Sequence, residues 1–192
     1  MQRYNQAIEK FAPKATRKVN PGDVFCIKLR DLYYWGRVIK TDSKEVIGLP
    51  SFITYLYKHP TLDFSFPSNR YWSYSNLLLK PFHSGKIWWS SKYAYNVGVN
   101  IPITREEANR THYYLKLGEN SCVVDDYGNK QPFKSISKSQ AVGESSSPNR
   151  LHIAYDIDEA EGRDEFFNNY NRAEQATGRE LRFKALEPYY KD

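Results

Sequence analysis

Hydrophobic and polar residues alternate most cleanly over residues 23–41. Phe25, Ile27 and Leu29 interleave with Cys26, Lys28 and Arg30, the period of two that a half-buried strand requires, and Pro21-Gly22-Asp23 supplies a turn before it. Asp31 and Leu32 leave room for a tight reversal into a second strand over 33–41. There Tyr33, Trp35 and Ile39 share one face, and Tyr34, Gly36 and Val38 the other, so the two strands read as a hairpin. Residues 45–49 and 52–58 are further β-prone runs, with Pro50 marking a break, bulge or edge between them. Residues 59–70 read as loop, and 71–82 stay unassigned, because Leu77-Leu78-Leu79 suits either the end of a helix or a buried strand. Residues 87–101, rich in aromatics and valine, read as strand, and Thr104-Arg105-Glu106-Glu107 as a capped turn followed by little helix. Residues 113–117 and 121–125 flank Gly118-Glu119-Asn120 as a second hairpin, closed by the turn Tyr127-Gly128-Asn129.

The two ends carry different patterns. Tyr4, Ile8 and Phe11 fall at helical spacing, which predicts a helix over 2–11 ended by Pro13, and a basic connector follows to Lys18. Residues 134–149 are rich in Ser and poor in large apolar groups, the composition of a linker. Beyond it Leu151, Ile153, Tyr155 and Ile157 alternate as a strand. Asp158 and Asp164 then favour a helix to about Gly178, and Leu181, Phe183 and Ala185 alternate again. The expected class is α+β, mainly β: a bent antiparallel sheet or partial barrel with peripheral N- and C-terminal helices. Four segments follow: helix and connector at 1–18, β core at 19–133, linker at 134–150, and a strand-helix-strand extension at 151–192 packed on the core.

Composition supports a β fold and a binding role together. Sixteen Tyr and four Trp in 192 residues favour pleated, half-buried surfaces and interfaces alike. The longest apolar runs are Val24 to Ile27 and Leu32 to Trp35, far short of the roughly 20 residues of a membrane-spanning helix. The first residues lack a secretory apolar stretch, so a cytoplasmic location with no membrane partner is expected. Net charge is +6, with 22 basic and 12 acidic side chains over 1–155 but 6 and 10 over 156–192. Oppositely charged parts of one chain attract, which suits a tail docked on the body.

Candidate chemistry is sparse. His59, His83, His112 and His152 form no local pair, and Cys26 and Cys122 give no metal-ligand spacing, so no metal site and no cofactor are expected. Both cysteines read as small buried hydrophobes. Neither a Gly-x-Ser-x-Gly elbow nor a Cys with a neighbouring His is present, and no catalytic residue is assigned. Asp23 reads as a turn cap and Arg37 as the partner of a nearby acid; the functional alternative joins them in one polar cluster at an end of the hairpin. A basic, aromatic β domain also suits single-stranded nucleic acid, yet the basic residues are scattered and form no stripe. Protein binding needs only aromatic and Arg anchors inside a polar rim. Trp72, Tyr74, Trp88, Trp89, Tyr93 and Tyr95 are the candidate partner-binding anchors. On that reading Trp88→Ala or Trp89→Ala weakens binding more than Lys14→Ala.

The run from Gly22 and Asp23 through Phe25 to Leu29, followed by Tyr34-Trp35-Gly36-Arg37-Val38, resembles the opening hairpin of the immunity 26/phosphotriesterase family of bacterial proteins. Leu77-Leu78-Leu79-Lys80-Pro81, the Trp88-Trp89 segment and Asp125-Asp126-Tyr127-Gly128-Asn129 are similar to its later landmarks, so the resemblance covers about residues 19–131. It implies a mainly β fold and, for most members, the antidote of a toxin–immunity pair; a few relatives are labelled phosphotriesterases. The expected partner is therefore a cognate toxin, neutralised by occlusion, and the alternatives are a phosphotriester hydrolase and a binder of single-stranded nucleic acid. The chain departs from the family pattern in an insertion-like region around 55–72 and in its C-terminal extension.

Overall fold

The computed structural model describes residues 8–9, 18–44, 50–67, 71–79, 81–85, 89, 93–116, 122–131, 141–144, 157 and 160–161. Its strands, in chain order, are β1 (Ile8–Glu9), β2 (Asp23–Leu29), β3 (Leu32–Lys44), β4 (Pro50–Leu56), β5 (Phe82–Gly85), β6 (Tyr95–Asn100), β7 (Tyr113–Lys116), β8 (Cys122–Asp125), β9 (Lys130–Gln131) and β10 (Ala141–Glu144). A 3-10 turn spans Tyr74–Asn76, and one short helix, α1, spans Arg105–Asn109. Among the described residues the fold is mainly β, as the alternation predicts. One antiparallel sheet runs β1-β2-β3-β4-β5 with β6 also paired to β2, and a second runs β10-β7-β8-β9. The described strands do not close into a barrel. No helix among the described residues is long and apolar enough to cross a membrane.

The predicted hairpin forms, but its reversal lies at Arg30 and Asp31, one residue earlier than expected, and Leu32 already belongs to the second strand: Cys26 faces Trp35, Ile27 faces Tyr34 and Leu29 faces Leu32. Burial goes further than half-buried strands require, because both faces of the first sheet are covered. One face carries Phe25, Ile27, Leu29, Tyr34, Val38, Phe52 and Leu56 in a core cluster with Leu79, Trp89, Ala94 and Ile157. The other carries Val24, Cys26, Trp35, Ile39, Ile53, Tyr55 and Tyr57, clustered with Trp72 and Val124. Val124 brings β8, and with it the second sheet, onto this second face. Buried among apolar neighbours, the Cys26 thiol is pushed well above its ordinary pKa, as befits an inert packing residue. The Cys122 side chain lies outside the described residues.

Register shifts in β3 fall between Val38 and Lys40 and between Lys40 and Ser43. The first places Lys40 opposite Ile53, whose neighbour in the ladder is His83. Such a bulge bends the strand and re-aims a side chain. Here it turns Lys40 onto the second face, where strict alternation would have placed it on the first.

Several expectations need correction. Residues 8–9 are strand, where helical spacing predicted helix: β6 covers β2 only from Asp23 to Cys26, and Ile8–Glu9 fills the edge left at Lys28 and Leu29. The rest of the predicted N-terminal helix lies outside the described residues. In the run read as one strand over 87–101, Trp89 is helical, and among the described residues strand spans Tyr95–Asn100. Trp89 leaves the sheet to pack edge-on against Phe25 and Phe52, 5.2 and 6.0 Å away, and so covers the first face. Within the stretch read as linker, Ala141–Glu144 pairs in parallel with β7. Ile157, expected to end a strand, is helical; the Glu161 amide donates to its carbonyl, and its side chain is fully buried in the first-face cluster. The Tyr34 hydroxyl donates to the Glu161 carboxylate at 2.8 Å, a second tie between the C-terminal segment and the sheet.

Candidate functional site

The second face of the first sheet is built in rows set by the strand register. Tyr95, Cys26, Trp35 and Tyr57 lie side by side at one end; Val24, Arg37 and Tyr55 form the next row; Lys40, Ile53 and His83 follow, and then Ser43 and Ser51. The face therefore grades from aromatic at one end to charged and hydroxylic at the other.

Over the aromatic end runs a strap, residues 61–67. The Thr61 and Tyr33 backbones exchange hydrogen bonds of 2.9 and 3.0 Å, and the Trp35 indole N–H donates to the Thr61 hydroxyl at 2.9 Å. The Phe64 ring rests on Tyr33, Trp35 and Tyr95, with centroids 5.4 to 5.8 Å apart, and the Phe66 ring stacks on Trp72 at 5.8 Å. These rings are only half used: Phe64 is 47% exposed, Phe66 45% and Leu62 81%. Phe64 and Phe66 thus stand half in water on a floor of tryptophan and tyrosine, both against Trp35, with Leu62 exposed in the same segment. Isolated exposed apolar residues are ordinary; a contiguous ridge fixed by backbone and ring contacts is the kind of surface that marks an interface.

At the charged end the second sheet docks through polar groups. Lys40 Nζ lies 2.5 Å from an Asp126 carboxylate oxygen and donates to the Arg110 carbonyl at 2.7 Å. His112 Nδ1 is 3.0 Å from Asp126, and its Nε2 is 3.0 Å from the Tyr55 hydroxyl. Since a carboxylate only accepts, Nδ1 carries the proton, and in the neutral ring Nε2 accepts from Tyr55. Burial works to raise the Asp126 carboxyl, but the hydrogen bonds and electrostatic pull of His112 and Lys40 outweigh it and hold the group below its ordinary value. Burial keeps the Tyr55 hydroxyl protonated by pushing its pKa up. His83 meets the Ser51 hydroxyl at 2.7 Å, and burial pushes its pKa down to about 4. Arg37 pairs with Glu107, fixed in place by the α1 capping box, in which Thr104 and Glu107 bond each other's backbone. The Tyr57 hydroxyl, pushed up to about 12 chiefly by burial, lies against the same guanidinium.

The carboxylate–imidazole–hydroxyl chain has the connectivity of a nucleophile-activating relay. Its position argues for another role, since Tyr55 and Asp126 are fully buried and His112 nearly so. Among the described residues no group of three or more His, Cys, Asp or Glu is placed to hold a metal ion.

The residues singled out from sequence separate by role. Gly22, at φ 87°, has no room for a Cβ, which would sit 2.6 Å from the Ile101 carbonyl oxygen. A Cβ on Gly36 would lie 2.2 Å from the Phe25 ring and 2.6 Å from the Tyr55 carbonyl oxygen. Asp23 accepts from the Asn20 amide and from the side chains of Asn96 and Asn100, stitching β6 to the start of β2. Asp23 and Arg37 are not brought together: Arg37 shares a face with Val24, and the adjacent Asp23 points to the other. Asp125 organises its turn, accepting from the Tyr127 and Asn129 amides and from Asn129 and Gln131 side chains, with Gly128 at φ 79°. That turn sends Asp126 inward and leaves Tyr127 outside, its ring 5.9 Å from Lys40 Nζ.

The six candidate anchors divide between the faces. Trp89 is buried and Tyr93 packs beside it on the first-face cluster; Trp88 lies outside the described residues. Trp72 and Tyr95 are the floor beneath Phe66 and Phe64. Tyr74 is 40% exposed, with its ring on Tyr55 and the Arg110 guanidinium stacked 4.0 Å above it. Sequence reading passed over Leu62, Phe64 and Phe66 as loop, although their alternation with Asp63 and Ser65 between Pro60 and Pro67 was a readable signal. No family model, curated protein or solved structure matches the chain.

Proposed function

We propose that this protein acts by binding a partner protein through the ridge formed by Leu62, Phe64 and Phe66. In keeping with the family resemblance, the partner is a cognate toxin neutralised by occlusion. The observation that carries the reading is the ridge itself: apolar side chains held at the surface by a hydrogen-bonded strap over Trp35, Trp72 and Tyr95. Rings fixed before contact lose little side-chain entropy on binding, and burying the exposed half of each contributes about 1 kcal/mol. The ridge lies inside the segment that departs from the family pattern, which suits a surface that sets partner identity. The overall charge of +6 complements an acidic or neutral toxin better than a basic one. Burial of the Tyr55–His112–Asp126 chain supports binding over catalysis at that place. The test is to titrate this protein into the toxin encoded beside it while following the toxin's activity. Stoichiometric inhibition is the expected result. Chelator-sensitive turnover of an activated phosphotriester, or oligonucleotide binding that falls steeply with salt, with the toxin unaffected, would replace the reading by one of its rivals.

A further inference from the structure

Beyond partner binding, the polar end of the second face has a design of its own. The first sheet has an apolar cluster on its first face, drawn from β2, β3 and β4 with Leu79, Trp89, Ala94 and Ile157, and none of the described side chains in it comes from the second sheet. By contrast, Val124 is the described side chain of the second sheet that enters a core cluster. The other described ties between residues 110–127 and the first sheet centre on Lys40 and Tyr55: Lys40 to Asp126, to the Arg110 carbonyl and to the Tyr127 ring, and Tyr55 to His112 through both a hydrogen bond and a ring contact. A bulge in β3 is used to deliver Lys40 to this place.

We propose that Lys40, Asp126, His112 and Tyr55 form an acid-operated latch: protonation releases residues 113–116 and 122–131 from the first sheet, which stays folded. The groups facing Asp126 among the described residues are Lys40 from β3, His112 at the entry to β7 and His83 from β5. Lys40 also faces the Tyr127 ring, and Tyr55 is flanked by Tyr74, Arg110 and Glu107, the last paired with Arg37. At neutral pH the Asp126 carboxylate balances a buried ammonium; once protonated it leaves that ammonium uncompensated, and a lone buried charge is far costlier than the pair. The sign follows from the environment. The carboxyl is held below its ordinary value, so its contribution is present above that value and is lost as pH falls through the depressed one.

Hydrogen exchange on the full chain, read by mass spectrometry across a pH series and corrected for intrinsic rates, tests this. In the wild type, peptides over 113–116 and 122–131 should lose protection at a pH where 24–29, 33–39 and 51–56 keep it. Asp126→Asn, which leaves Lys40 facing a neutral amide, should lose the same protection already at pH 7. The double variant Lys40→Met/Asp126→Asn, with no ionisable pair, should hold it to at least about one pH unit lower than the wild type. Simultaneous loss from both sheets in the wild type, or a double variant that opens where the wild type does, overturns the latch. Should Asp126→Asn alone not fold, those two comparisons still decide.

Discussion

His83 shows how one side chain ties stability to pH. It is almost wholly buried and sits on Ser51, and burial holds its pKa at about 4 against the ordinary 6.5. Between those values the unfolded chain binds a proton that the folded one refuses. Stability is therefore full above about 6.5, falls as pH drops, and has lost about 3 kcal/mol from this group by pH 4. Denaturant titrations at several pH values should show that slope, and His83→Gln should flatten it; an unchanged slope would place the acid sensitivity elsewhere. Gly36 presents the steric counterpart. A Cβ there meets a ring, which can turn, and the Tyr55 carbonyl, which cannot. Gly36→Ala should cost at least about 1–3 kcal/mol by overpacking, measured as a lower denaturant midpoint.

Among the elements, α1 is short but has leverage on the buried polar groups. Its five residues present Glu107 to Arg37, and the capping box fixes that carboxylate. Thr104→Ala removes the cap and should cost about 1 kcal/mol; the smaller thermal shift of Glu106→Ala, whose exposed partner is Arg110, is the control. The cap of this helix, the β2–β3 hairpin and the β7–β8 hairpin were legible in the sequence, because capping chemistry and alternation are local. The partners of Arg37 and Lys40 were not: Glu107 and Asp126 lie 70 and 86 residues away, and the bulge that turns Lys40 inward breaks the very periodicity from which its direction would be read. The Ile8–Glu9 strand was hidden for a related reason, since it exists to fill an edge that only the placement of β6 leaves open. The six candidate anchors were picked as one aromatic group, but the division of the described ones between two faces depends on where Trp89 leaves the sheet.

At the scale of the molecule, one sheet separates two kinds of surface. Its first face is closed by apolar packing, including Ile157 of the C-terminal segment. Its second is shared between a docked sheet, held by charge, and a strap that offers rings to solvent. Trp89, buried against Phe25 and Phe52, is a stability residue, so Trp89→Ala should lower the thermal midpoint rather than report a contact. The ridge is where binding should be lost without loss of fold. The most direct measurement is the affinity of the proposed toxin partner for the wild type and for Leu62→Ser/Phe64→Ser/Phe66→Ser, by calorimetry, with circular dichroism and thermal midpoint confirming an intact fold. The ridge account predicts a loss of about 1000-fold or more, the equivalent of about two strong anchors. A folded triple variant that binds within about threefold of the wild type, a difference under about 1 kcal/mol, would contradict it.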